Sequence, residues 1–228
     1  MLTAIIVAAG SSRRMGFDKL FAEIAGKPVI AHTIAAFEHA DAVTAIIIVA
    51  RQDRHSEFEK IVRDLGFKKL RAIVPGGEHR QDSVRAGLEN LPNDSRYVAV
   101  HDAARPLVTP EQIEHVYQVA QMQGAASLAA PVADTFKRAD VDLIVKESVD
   151  RHQLFAMQTP QIFERKILEQ AYRAVFDAKA AVTDEVSAVE RNGGKVVLVE
   201  NDDFNFKITY ERDLKLAELV LQQRAGSG

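Results

Sequence analysis

Ala4-Ile5-Ile6-Val7-Ala8-Ala9-Gly10-Ser11-Ser12-Arg13-Arg14-Met15-Gly16-Phe17-Asp18-Lys19 is the stretch on which the fold turns. Its first four residues are a continuous apolar run and read as a buried strand. The chain then enters a loop of small residues that carries three cations, Arg13, Arg14 and Lys19. Glycines at 10 and 16 allow tight turning and close approach of a ligand to the backbone. Successive N–H groups in such a loop can converge on phosphate oxygens. A P-loop is excluded, because Gly16 is followed by Phe17-Asp18 and not by Lys-Ser or Lys-Thr. The dinucleotide fingerprint is excluded too, since Gly10 has no glycine two residues on. An ordinary βα loop with a solvated basic edge is the plain alternative. Three cations clustered at the end of a first strand favour a polyphosphate loop over it.

Outward from this loop, strand-like and helix-like runs alternate. A helix is expected from Pro28 to about His39, with the proline in its first turn. Strands follow at Thr44–Val49, Arg71–Val74, Tyr97–Val100 and Ala125–Ala130. Helices are expected at Glu57–Leu65, Asp82–Leu91 and Pro110–Gln123. Apolar strands in βαβα order predict an α/β, Rossmann-like fold with a mostly parallel sheet and helices on both faces. Ligands on such sheets bind at the carboxyl ends of the strands. The loop after the first strand, Gly76-Gly77 and Asp102–Pro106 all lie at such ends, which points to one site.

The alternation breaks at Asp134. Thr135–Ala139 and Leu143–Val149 flank a turn at Asp140-Val141-Asp142 and read as a protruding β-hairpin arm, at about 134–152. An isolated hairpin is marginal in water. It needs a partner surface, either its own sheet or the same arm in a second copy. Beyond it, helices are expected at Phe163–Phe176, after a cap at Thr183-Asp184-Glu185, and at Glu211–Arg224, with fraying from Ala225. Strands are expected at Lys195–Val199 and Asn205–Ile208. No linker or repeat interrupts the 228 residues, so a single domain is expected.

Composition narrows the classes. The chain is 47% hydrophobic with a formal charge of −3, so no overall field favours nucleic acid or an anionic membrane. It has no cysteine, which excludes thiolate metal sites and cysteine nucleophiles. No signal peptide or membrane span is read, and a cytoplasmic protein is expected.

Candidate chemistry lies in a few segments. Gly76–Ser83 offers backbone groups and Ser83 to a nucleobase, or is simply a turn before a capped helix. His101-Asp102-Ala103-Ala104-Arg105-Pro106 could hold a metal–phosphate ligand and its counter-charge. His101 by itself reads as a packed, hydrogen-bonded residue. A metal-dependent hydrolase would need further His and Asp ligands that the sequence does not supply. Lys207, between Phe206 and Ile208, reads as a cation directed into a cleft. Thr135, Thr159 and Thr183 could donate hydrogen bonds to a phosphate or hydroxyl, or serve turns and caps.

Together, Ala8–Lys19, His101–Pro106, Asp134-Thr135, Gln158-Thr159-Pro160-Gln161, Thr183-Asp184-Glu185 and Asn205–Ile208 resemble the 2-C-methyl-D-erythritol 4-phosphate cytidylyltransferases, over about Thr3–Leu221. The resemblance implies CMP transfer from CTP to methylerythritol 4-phosphate with Mg²⁺, whose ligands it does not assign. It places Arg14, Lys19 and Lys207 on the reacting phosphates. It places Ala8, Ala9, Gly10, Gly77 and Ser83 on the nucleoside. Asp102 and Thr183 would take hydroxyls of the acceptor, with Arg105 supporting that pocket. Thr135 and Arg151 would hold the acceptor phosphate from a neighbouring subunit, which implies a homodimer through the arm. Glu78 departs from the aspartate common in the family, and the Arg14–Lys19 loop is short. A cytidylyltransferase for a pentitol phosphate, and a CTP sensor without turnover, are the rival readings.

Overall fold

The computed structural model describes residues 1–10 and 15–226. The apolar run that opens the chain becomes strand β1 (Leu2–Ala8), which lies inside the sheet and is almost wholly buried. Around it the chain forms β2 (Glu23–Ile24), β3 (Lys27–Pro28), α1 (Val29–His39), β4 (Val43–Ala50), α2 (His55–Asp64), β5 (Leu70–Pro75), α3 (Arg80–Glu89), β6 (Tyr97–Asp102), α4 (Pro110–Gln123) and β7 (Ala125–Pro131). There follow β8 (Phe136–Ala139), β9 (Val145–Val149), β10 (Phe155–Glu164), α5 (Arg165–Asp177), α6 (Glu185–Arg191), β11 (Val197–Glu200) and α7 (Glu211–Gly226).

Seven strands form one sheet in the order β11-β7-β10-β6-β1-β4-β5. β1 pairs in parallel with β4 on one side and β6 on the other. The chain runs from β1 outward to β4 and β5, then returns to β6 on the opposite flank. The carboxyl ends of β1 and β6 therefore flank a topological switch point. Two apolar layers sandwich the sheet. Ile34 and Phe37 of α1, Phe58 of α2, Val116 of α4 and Ala217 of α7 pack with Ile6 and Ile48 on one face. Val84 of α3, Leu168 and Val175 of α5 and Val189 of α6 pack with Ile5 and Val100 on the other. Alternate residues of a strand point to opposite faces, so Ile5 and Ile6 serve different layers.

Several local expectations are corrected. Phe163 belongs to strand β10, and the helix after it starts at Arg165. β10 is antiparallel to both β6 and β7. Its proline argues against a strand, because Pro cannot donate to a ladder. The ladder with β7 shifts register between Met157, opposite Ala129, and Gln161, opposite Ser127, so Pro160 lies in the irregular stretch and is not asked to donate to the ladder. Asn205–Ile208 is irregular rather than a strand, pinned where Ile208 N–H donates to Ala104 O at 2.8 Å. The α6 cap is Asp184, whose carboxylate accepts from Ser187 N–H, and not Thr183. Helix α7 extends past Arg224 to Gly226, and the last two residues of the chain lie outside the described residues.

The arm is a separate two-stranded sheet, β8 paired with β9, and does not extend the main sheet. Arg138–Glu147 and Lys146–Asp140 ion pairs tie it together. At its tip Asp140 Oδ1 accepts from the N–H groups of Asp142 and Ile144. No helix among the described residues is long and apolar enough to cross a membrane.

Candidate active site

The carboxyl ends of β1, β5 and β6 enclose a cleft with a cavity volume of about 230 Å³. Val7 and Asp102 are register partners across β1 and β6, and Ala103 N–H donates to Val7 O. The loop after β1 and the Asp102–Ala104 segment therefore run side by side. On the other flank Gly76 meets Ala9 so closely that a Cβ at 76 would lie 2.3 Å from the Ala9 Cβ. Only glycine permits that approach. Gly77 N–H then donates to Ser83 Oγ at 3.2 Å, turning the chain into α3.

Ala8, Ala9, Gly10, Lys19, Gly77, Ser83, Asp102 and Lys207 all line this one cleft. Lys19 is delivered by a turn in which Gly16 has φ +72° and Asp18 Oδ1 accepts from Leu20 N–H. Its Nζ donates to Ile208 O at 2.5 Å. Lys207 Nζ lies 3.0 Å from Asp102 Oδ2. Two amines of the expected transfer chemistry thus converge from segments nearly two hundred residues apart. Arg14 lies outside the described residues.

Asp102 is the electrostatic centre. Arg80 Nε donates to its Oδ1 at 3.2 Å, and Lys207 and Arg105 approach its Oδ2 at 3.0 and 3.6 Å. Burial alone would raise its pKa, but Arg80, Lys207 and Arg105 outweigh burial and hold the carboxyl well below the usual range. It is therefore ionised at neutral pH. Arg105 sits behind the cleft, with its guanidinium donating to Asn205 O and Met157 O.

His101 is fully buried, and desolvation pushes its pKa down to about 3, against the raising effect of its bond to Arg105 O. The neutral ring donates from Nε2 to Arg105 O, and Nδ1 accepts from Thr159 Oγ. Thr159 Oγ in turn accepts from Asp102 N–H at 3.1 Å. The packed reading of His101 is the one the geometry supports. Its chain of bonds fixes the backbone on either side of the cleft carboxylate.

Three expected substrate contacts are not part of this cleft. Thr183 is exposed beside the start of α6. Thr135 and Arg151 are exposed at the base of the arm, where Arg151 donates to Ala133 O. Sequence reasoning assigned no role to Arg80, which lines the cleft, nor to Glu185, which pairs with it. Arg80 sits within the Gly76–Ser83 run, but a lone arginine in a helix's first turn reads as solvated. Among the described residues no three His, Asp or Glu side chains gather as a metal site.

Comparison with known proteins agrees with the geometry. The IspD family model, 2-C-methyl-D-erythritol 4-phosphate cytidylyltransferase, matches residues 2–223. A protein of that description from Pelotomaculum thermopropionicum is 42% identical over 228 residues, covering 99% of this chain and 96% of the relative. One from Caldanaerobacter subterraneus is 41% identical over 226 residues, covering 97% and 99%. Among solved structures, the 4-diphosphocytidyl-2C-methyl-D-erythritol synthase of Anaerococcus prevotii superposes with a TM-score of 0.86 at 28% identity, covering 97% of this chain and 96% of that one. The cytidylyltransferase of Thermus thermophilus gives 0.79 at 28% identity, covering 97% and 100%.

Proposed function

This chain belongs to the 2-C-methyl-D-erythritol 4-phosphate cytidylyltransferase family, and from that premise we propose how its cleft divides the work of the reaction. The enzyme transfers CMP from CTP to 2-C-methyl-D-erythritol 4-phosphate in isoprenoid biosynthesis. The observation that carries the assignment of roles is the convergence of Lys19 and Lys207 on the cleft at the switch point, opposite Gly77 and Ser83.

CTP lies with its cytosine and ribose against Ala8, Ala9, Gly10, Gly77 and Ser83. A phosphate oxygen of the acceptor attacks the α-phosphorus of CTP in line. One P–O bond forms as the α–β P–O bond breaks, and pyrophosphate leaves. Charge builds on the equatorial oxygens and on the leaving group, so fixed cations stabilise the transition state more than the ground state. Lys19 and Arg14 serve the triphosphate. Lys207 turns from Asp102 towards the junction of the two phosphates, since its side chain is the most exposed of the Asp102 partners. Asp102 accepts hydroxyls of the acceptor with Arg105 as support, and Thr183, outside the cleft lining but two residues before the Glu185 that reaches Asp102 through Arg80, takes a hydroxyl where the acceptor extends beyond the cleft.

Mg²⁺ would be held by the triphosphate rather than by a cage of this chain's own carboxylates. The described residues form no cage for it, and Asp102 already has three cations around it. Mg²⁺ commonly binds through substrate phosphates and few protein carboxylates. The ion supplies charge neutralisation on the polyphosphate. Thr135 and Arg151 hold the acceptor phosphate of a second subunit, in a homodimer joined through the arms. That neither lines the cleft of its own chain supports this, as do the exposed apolar residues Phe136, Val141, Leu143 and Ile144. The cysteine-free composition fits a cytoplasmic enzyme.

The test is pyrophosphate release from CTP with Mg²⁺, with methylerythritol 4-phosphate and ribitol 5-phosphate offered in parallel. Release with the first substrate alone, abolished by EDTA, is expected. Release with ribitol 5-phosphate alone would overturn the acceptor. CTP binding without release from either would overturn the enzyme in favour of a sensor.

A further inference from the structure

Behind Asp102 stands a buried cluster that the proposed roles do not use. Glu185 is wholly buried at the first position of α6. Its carboxylate is gripped by both terminal nitrogens of Arg80, at 2.5 and 2.9 Å, and accepts from Tyr172 O–H at 2.9 Å. The remaining nitrogen of the same guanidinium, Nε, donates to Asp102 Oδ1. All three nitrogens of one planar group are therefore committed. A guanidinium held by two teeth on a fixed carboxylate cannot rotate, so the direction of its third tooth is set.

Glu185 is itself anchored. Gln161 of β10 accepts the backbone N–H groups of Glu185 and Val186 through Oε1, and donates from Nε2 to Asp184. The line from the sheet to the cleft runs Gln161, α6, Glu185, Arg80, Asp102. By contrast, Lys207 holds the other Asp102 oxygen with a half-exposed, flexible side chain. An amine that turns to a phosphate during the reaction cannot also hold Asp102 still.

We propose that Arg80, clamped by Glu185 and Tyr172, is a positioning residue that keeps the Asp102 carboxylate aimed at the acceptor's hydroxyls while Lys207 leaves it for phosphate. This rests on the reading of Asp102 as the acceptor's hydroxyl site. It has a directional consequence. Loosening the clamp weakens binding of the acceptor and leaves binding of CTP alone, because Asp102 lies on the acceptor side. A purely structural clamp, needed only to neutralise a buried glutamate, would change stability without separating the two substrates.

The experiment measures KM for each substrate, kcat and Tm in Arg80→Lys, Glu185→Gln and Tyr172→Phe, with the wild type in the same pyrophosphate assay. Arg80→Lys keeps the charge but replaces the rigid two-toothed grip on Glu185 with a single rotatable amine, so the direction of any bond to Asp102 is no longer fixed. It should raise KM for methylerythritol 4-phosphate by about tenfold or more, the scale of a lost charged hydrogen bond, with KM for CTP within about twofold. Glu185→Gln should act in the same direction with smaller size. Tyr172→Phe keeps the ring and should act least. In an Asp102→Asn background, Arg80→Lys should add nothing further, because the two act as one unit. Lowered Tm with both KM values at wild type would overturn the proposal, as would parallel rises in both KM values or additivity with Asp102→Asn. If Arg80→Lys does not fold, Glu185→Gln and Tyr172→Phe carry the same comparison. A wild type silent with methylerythritol 4-phosphate would instead overturn the proposed function, and that result is distinguishable from an active wild type with unmoved variants.

Discussion

Lys19 is a single amine held at a cleft by a glycine turn on one side and the Ile208 carbonyl on the other. Its replacement tests whether it acts on developing charge. Lys19→Ala should lower kcat by about 10²-fold or more, the loss expected for one transition-state donor. Steady-state turnover near wild type would remove it from the chemistry. His101 makes the opposite case, a titratable group in the site that acts by staying neutral. Its ordinary value is 6.5 and burial pushes it to about 3. Between those values the unfolded chain binds a proton that the folded chain refuses. The stability is present above pH 6.5 and is lost as pH falls through that window. In His101→Asn, whose Oδ1 can replace Nδ1 as acceptor, denaturation between pH 6.5 and 5 should show a shallower slope by up to about 1.4 kcal/mol per pH unit. His32, also lowered by burial, contributes equally to both proteins and cancels in the comparison. Equal slopes would show that His101 titrates normally.

Element boundaries follow local chemistry where local chemistry is strong. Helix α4 opens on Thr109, whose Oγ accepts from Gln112 N–H while Gln112 Oε1 accepts from Thr109 N–H, with Pro110 in the first turn. It closes on Gly124 at φ +83°. That helix was legible to the residue, because caps, proline and glycine all agree. Thr109→Ala should cost about 1 kcal/mol and lower Tm by about 2–4 °C with kcat unchanged. A Tm shift near zero in a thermal melt would mean the cap is solvated away. Strand β10 was illegible for the converse reason. Its proline and polar residues contradict a buried strand, and only pairing with β6 and β7 on either side makes it one. The irregular Asn205–Ile208 segment shows the same limit. Apolar alternation suggests a strand, yet Asn205 donates to Thr159 O and, among the described residues, no strand pairs with the segment.

At the scale of the whole molecule, the arm is the part whose purpose a single chain leaves open. Its Val141 is 97% exposed and Leu143 85% exposed at a tip whose turn is firmly built. If arms pair two copies and Arg151 serves the partner's cleft, two defective proteins should repair each other. Lys19→Ala and Arg151→Ala proteins, each impaired, should regain pyrophosphate release when hybrid dimers form by mixing. The Arg151→Ala protomer keeps its own Lys19 and borrows Arg151 from its neighbour. No regain, with hybrid dimers verified by sedimentation of tagged chains, would place Arg151 in its own subunit's site. If the arms join two copies, Val141→Asp with Ile144→Asp should give a monomer by sedimentation, since burying two carboxylates at an interface is costly.

The sequence by itself determined the alternation of strands and helices, the basic loop after β1 and the three loops at strand ends that meet at the cleft. Those features are local: apolar period, caps, glycines and clustered charge are written in neighbouring positions. What only the tertiary structure decided are relations between distant positions. Asp102 owes its depressed pKa to Arg80, Lys207 and Arg105, and Arg80 owes its fixed direction to Glu185, over a hundred residues further along. A charge is costly or useful according to what surrounds it in space. No spacing along the chain states which cation will stand against which carboxylate.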